Sequence, residues 1–205
     1  MRRLAVRLAL GLLVLVLSGW ALGALWTSLA GSSELHLVRS IAADRTAALT
    51  SAARILTWAG SLWVLAPLAL LCCALFLRVG YVREALTVGL GLFGGAIIAD
   101  VDKPLVARGR PPVEHLQAVT GASFPSGHAT EASAFWISLL LALHSLQLGR
   151  NAFAAILVLV VLLVLVVCLT RLYLGVHYPA DVIAGVLLGS TWAVYVNSCV
   201  RKAIA

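Results

Sequence analysis

The sequence predicts an all-α fold: an integral membrane bundle of six transmembrane helices, forming one domain over residues 1–205. Three observations predict it. Of the 205 residues, 62% are hydrophobic and only 11% are charged, where an ordinary soluble domain carries about a quarter charged. Such a chain lacks the polar groups to cover itself against water, so lipid is its expected solvent. Six stretches also approach the ~20 mostly apolar residues that a spanning helix needs. Finally, the ionisable residues gather between those stretches. The net charge of +7 does not point to nucleic acid, because the basic residues form no stripe. Cys72, Cys73, Cys168 and Cys199 lie in or beside apolar runs without zinc-type spacing, and read as small apolar filler.

The first stretch, 8–29, follows MRR and ends near ALGA. It resembles a secretory signal peptide, but its run is longer than a usual signal core, so a retained helix is expected. Residues 31–54 place apolar side chains at helical spacing, which suits a short surface helix. The second stretch is 55–77 and the third 84–101. A connection over 103–128, rich in Pro, Gly and Arg, is long for a compact chain and is expected to be functional. The fourth stretch, 129–147, is the weakest, since it carries Glu131, Ser133, Ser138 and His144. The fifth and sixth are 152–170 and 180–198. Gly91 with Gly95, and Gly185 with Gly189, repeat at the spacing that lets membrane helices approach closely. Close packing of the third span on the sixth is therefore expected.

Orientation follows from positive charge in short loops. Arg78, Arg83 and Arg150 mark an inner face, which puts both termini in the cytoplasm. The end of span three, the start of span four, the end of span five and the start of span six then share the outer, periplasmic side of a cell membrane.

Those four places hold the unusual polar residues. KPLVARGRPP puts Lys103 and Arg110 in one loop; ASFPSGHAT puts Ser126, Gly127 and His128 at the start of span four; TRLYLGVHYPAD spreads Arg171, His177 and Asp181 across the turn into span six. Three converging cations repel one another unless an anion sits among them, and guanidinium matches phosphate oxygens in a bidentate way. A helix start at Ser126 and Gly127 offers free N–H groups to the same anion. Asp181 orients His177 either as an i,i+4 partner on one helical face or by reaching back from the first turn, with Pro179 at the first helical position. Either arrangement leaves one imidazole nitrogen free as a nucleophile. His128 arrives from another helix as a proton donor. The set suits phosphoryl transfer, which needs mainly positioning and charge stabilisation. No metal or other cofactor is expected, because Asp100, Asp102 and Glu114 have no metal-ligand spacing. Glu131 reads either as an acid favoured near a helix start or as a group tuning His128. His36, His115 and His144 are expected to be structural, with His115 placed where a head group would pass.

At these residues the chain resembles the type 2 phosphatidic acid phosphatase superfamily. Its first motif, lysine, six residues, Arg-Pro, matches Lys103, Arg110 and Pro111; its second, Pro-Ser-Gly-His, matches Pro125 to His128. The third, Ser-Arg, five residues, His, three residues, Asp, matches Arg171, His177 and Asp181, with Thr170 in place of the serine. Together the motifs cover 103–181. The resemblance implies His177 as the nucleophile of a phosphohistidine, Asp181 as its orienting partner and His128 as general acid. It implies Lys103, Arg110, Ser126, Gly127 and Arg171 as the residues holding the phosphoryl oxygens. The expected activity is metal-independent hydrolysis of a lipid phosphomonoester or pyrophosphate, such as undecaprenyl pyrophosphate or phosphatidylglycerophosphate. A lipid phosphotransferase with another acceptor is the alternative, and a lipid-phosphate transporter a lesser one.

Overall fold

A computed structural model describes residues 2–29 and 31–204, and among them all regular structure is helical. The order is α1 (Arg2–Leu29), α2 (Gly31–Ala43), α3 (Ala47–Leu56), a 3-10 turn (Thr57–Gly60), α4 (Leu62–Arg78), α5 (Val82–Val106), α6 (Gly127–Ser145), α7 (Arg150–Tyr173) and α8 (Pro179–Ala203). Four of these, α1, α5, α7 and α8, are long and apolar enough to cross a membrane. A fifth crossing is reached if Ala47–Gly60 and α4, which meet at a 42° bend, count as one span.

Two expectations change here. Residues 31–54 form two helices rather than one. The break falls where Thr46 adopts an extended backbone and its side-chain oxygen accepts the Leu49 N–H, capping α3. The third span also runs on to Val106, through Pro104, and ends only where Ala107 turns left-handed (φ 52) and donates its N–H to the Lys103 carbonyl. Lys103 therefore stands on the last turn of a helix, not in the loop with Arg110. An interior proline removes a helical hydrogen bond and tends to kink or end a helix, and α5 ends two residues after Pro104.

The position of α6 explains why its sequence is the least apolar. It lies at the centre, packed on α5, α7 and α8, and faces small residues rather than lipid. Ala129, Ala132, Ser133, Ala134 and Ser138 are all buried. By contrast, α7 exposes Val158, Leu159, Val161, Leu162, Leu165 and Leu169, an apolar belt suited to lipid.

Both glycine pairs serve this central helix. A Cβ on Gly91 or Gly95 would strike Ser138 or Ala134, and one on Gly185 would lie 2.8 Å from the Ser126 carbonyl oxygen. The expected close packing of span three on span six is present, but the glycine pairs are not its contact: each pair presses on α6 from its own side. α5 and α8 touch through Trp192, whose indole fills the space over Gly94 and donates to the Leu90 carbonyl at 3.0 Å. Spacing reveals that a helix can be approached closely; it does not say by which neighbour.

At one end of the bundle, Tyr195 Oη donates to the Arg7 carbonyl at 2.8 Å, joining the start of α1 to the last turns of α8. The other end carries α2, α3 and the long connection, stitched by Arg45 to the carbonyls of Tyr173 and Glu114 and by Arg54 to that of Leu116.

Candidate active site

His177 occupies the tight turn between α7 and α8. Gly175 makes the turn with φ +76, and a Cβ there would also press on Arg45 and on the Glu114 carbonyl at 2.9 Å, so glycine is needed twice over. Pro179 opens α8, as its fixed φ and missing N–H favour. Asp181 then falls in the first turn and reaches back to accept the Tyr178 N–H at 2.8 Å. Of the two sequence readings for this pair, the structure follows the second: His177 precedes the helix.

Asp181 is fully buried and receives donors at both oxygens. Oδ1 accepts Arg108 Nη1 at 2.6 Å. Oδ2 accepts the Ser123 hydroxyl and the Tyr178 amide, and lies 3.6 Å from His177 Nδ1. Catalytic hydrogen bonds are often this long before substrate binds and shorten afterwards. His177 is 3% exposed. Burial pushes its imidazole down to about 4, against the pull of Asp181 and with help from Arg171 and Arg110. The ring is neutral at pH 7, the state in which an imidazole nitrogen has a free lone pair.

Arg108 was not singled out from sequence, where it is one arginine of a basic loop. In the fold it is 7% exposed, joined to Asp181 and, at 2.6 Å, to Glu34 Oε2 of α2. Its guanidinium lies 4.1 Å from the centre of the Tyr178 ring. Glu34 Oε1 accepts the Ala180 N–H at 2.6 Å, at the start of α8, where a carboxylate is favoured. Ser123 was also missed, though it stands three residues before Ser126. Only Glu34 had no local signal at all, being one acid on a surface helix.

The second motif meets the third directly, since the Ser126 N–H donates to the Asp181 carbonyl at 2.9 Å. Ser126 is the N-cap of α6, yet its hydroxyl makes no capping bond and is buried without a partner. Next to it, a Cβ on Gly127 would lie 3.2 Å from Lys103 Nζ. Glycine here lets the ammonium sit against the helix start. Lys103 is also held by Asp100 at 3.4 Å. His128 follows, within electrostatic reach of Arg171, His177 and Lys103. Glu131, buried one turn on, shares this corner: its Oε1 is 3.6 Å from the same Cβ position.

Arg171 is 2% exposed. Nη1 donates to Thr57 Oγ1 at 2.8 Å and Gln117 Oε1 at 2.6 Å, while its buried Nε has no partner. Thr170, the departure from the serine pattern, donates its hydroxyl to the Val167 carbonyl in its own helix. Arg110 is spent differently: its three nitrogens donate to the carbonyls of Gly121, Val176, Thr120 and Ala122. Four of its five N–H groups are thus taken up, three within the loop and one at Val176, the neighbour of His177. His115 Nε2 lies 3.0 Å from the Pro111 carbonyl, within the same loop.

Beside this site, a mostly apolar cavity of about 580 Å³ runs between α4 and α5. Its walls come from residues such as Leu62, Ala66, Leu92, Phe93 and Ile97, and its polar end is Asp100, the partner of Lys103.

Comparison with known proteins shows the family. Over 120 residues the chain is 40% identical to decaprenylphosphoryl-5-phosphoribose phosphatase of Mycobacterium tuberculosis, covering 57% of this chain and 61% of that protein. The match thus spans about three-fifths of the relative's length. Phosphatidylglycerophosphatase B of Haemophilus influenzae is 41% identical over 78 residues, 37% of this chain and 32% of that one. In fold, the crystal structure of the transmembrane PAP2 type phosphatidylglycerolphosphate phosphatase from Bacillus subtilis superposes with a TM-score of 0.82, at 24% identity, over 93% of this chain and 96% of that one. The model of the PAP2 superfamily matches residues 84–205, which hold all three motifs, and the chain belongs to that superfamily.

Proposed function

We propose that the protein is an integral membrane lipid phosphatase, crossing the membrane six times with α6 as the shielded central span, and hydrolysing a lipid phosphomonoester or pyrophosphate through a phosphohistidine. One observation carries this reading: a buried, neutral His177 backed by Asp181, in a corner where Ser126 Oγ and Arg171 Nε are buried without partners. Unpartnered buried donors are costly, and phosphoryl oxygens would satisfy both. Lys103 and the free amides at Gly127 add charge stabilisation from the other side.

His177 Nε2 attacks phosphorus as the bond to the lipid oxygen breaks, and His128 gives that oxygen its proton. Asp181 stabilises the developing imidazolium. His128 then takes a proton from water, whose oxygen attacks phosphorus, breaks the N–P bond and releases phosphate. Arg110 would act mainly by holding the loop, with at most one N–H left for the substrate. The cavity between α4 and α5 suits the lipid tail, since it is apolar along its length and ends at the Asp100–Lys103 pair. The charge pattern of the short loops supports a site on the outer side of a cell membrane.

Detergent-purified protein should release phosphate from isoprenyl pyrophosphates, phosphatidic acid or phosphatidylglycerophosphate with EDTA present, and His177→Ala should abolish release. No release from any of these lipids by folded protein would overturn the reading.

A further inference from the structure

We propose that the end of the bundle opposite the histidines holds a second anion site, built to take a phosphate group. From Lys103 back to Arg83 is about 30 Å along α5, at 1.5 Å per residue. There the starts of α5 and α7 and the ends of α6 and α8 enclose a cavity of about 620 Å³, within the range of small-molecule sites. Arg83, Arg150 and Arg201 line it, with His144, Thr87 and Asn197.

Three features single it out. First, among the described residues none of the three arginines has a carboxylate within 4.0 Å; the acid that shares the cavity, Glu84, accepts the Ser145 hydroxyl at 2.6 Å. Second, Arg83 and Arg150 stand in the first turns of α5 and α7, neither helix has a side-chain cap, and while α5 carries Glu84 in its first turn α7 has no acid there. A cation is disfavoured at a helix start, where an anion is welcome. An anion between the two helix starts and the three guanidiniums would relieve both effects at once. Third, the preference for arginine on one membrane face places such residues at this end but does not gather them around a recess.

Thr87 and Asn197 offer neutral hydrogen bonds deeper in, while Leu148 and Phe153 line the same cavity with apolar surface. That combination fits the phosphodiester of an anionic lipid as well as free inorganic phosphate.

The test uses the full chain in detergent, titrated with phosphatidylglycerol and, separately, with inorganic phosphate, and read by native mass spectrometry. The variant is Arg83→Gln/Arg150→Gln/Arg201→Gln; Arg150→Gln/Arg201→Gln replaces it if the triple variant does not fold. Weakening of phosphatidylglycerol binding by tenfold or more identifies a lipid head-group site. The same loss for inorganic phosphate alone identifies a free-ion site. Unchanged binding of both probes in folded variant protein overturns the proposal. Binding is read without turnover, so the outcome does not depend on the phosphatase reading.

Discussion

Arginines gather at both ends of this bundle, but in opposite conditions. At the histidine end, Arg108 is held by two carboxylates and a ring, Arg110 by four carbonyls, and Arg171 by Thr57 and Gln117. At the far end, Arg83, Arg150 and Arg201 line an open cavity with no ion pair among the described residues. The difference separates two uses of one side chain. Charges fixed in advance hold the loop, the Asp181 carboxylate and the His177 turn in one arrangement, which a preorganised site requires. Charges left free suit a partner that varies or comes and goes.

Breaking the fixed end should have the largest effects. Asp181→Asn is expected to lower phosphate release on the order of 10⁴-fold, the scale seen when a buried carboxylate behind a catalytic histidine becomes an amide. Every contact of Asp181 is a donor, from Arg108, Ser123 and Tyr178, so an amide NH₂ would face another N–H or O–H. Single-turnover assays should show phosphohistidine formation slowed. Arg108→Ala comes next. It strands the carboxylates of Glu34 and Asp181 in the interior, and removing one partner of a buried pair costs about 3–5 kcal/mol. Thermal unfolding should show that loss. Glu34→Gln, which keeps the shape and leaves Arg108 its bond to Asp181, should cost clearly less.

The pH dependence sharpens the same contrast. His177 is held down to about 4 by burial, while an unfolded histidine titrates near 6.5. As pH falls from about 6.5 toward 4, the unfolded chain takes up this proton first, so stability drops across that window by up to about 3 kcal/mol. His177→Ala should flatten the drop measured by thermal unfolding. The His177 contribution to the acid limb of phosphohistidine formation should lie near pH 4 rather than 6.5.

The gathering of the candidate residues was legible because Lys103, the Ser126–His128 run and the Arg171–Asp181 run carry fixed spacings, and charge repulsion alone asks for an anion among them. Its supports were not. Glu34 is distant in sequence from Asp181, and Arg108 sits in a loop with two other cations, so nothing local tells which cation faces inward. The fold was legible where helices face lipid: α7 is apolar all round because lipid surrounds most of it. It was least legible at α6, where neighbouring helices replace lipid and small or polar residues serve as well as leucine. For the same reason the glycine pairs revealed close contact but not α6 as the shared partner.

The smallest expected effect is also the most direct comparison, because it makes one substitution at both ends. Arg110→Gln removes the guanidinium that ties Gly121, Thr120 and Ala122 to Val176, the neighbour of His177. Freeing this turn should misplace the nucleophile, and a displacement of about 1 Å is enough to cost on the order of 10²-fold in rate. Most of that should appear in kcat, since the residue holds the loop rather than the lipid. Arg201→Gln removes the same group from an exposed position near the end of α8. It should leave phosphate release within about twofold, the usual range for surface changes. Equal losses in the two variants would mean that the far end is coupled to the histidines through α8, the helix that carries both Asp181 and Arg201.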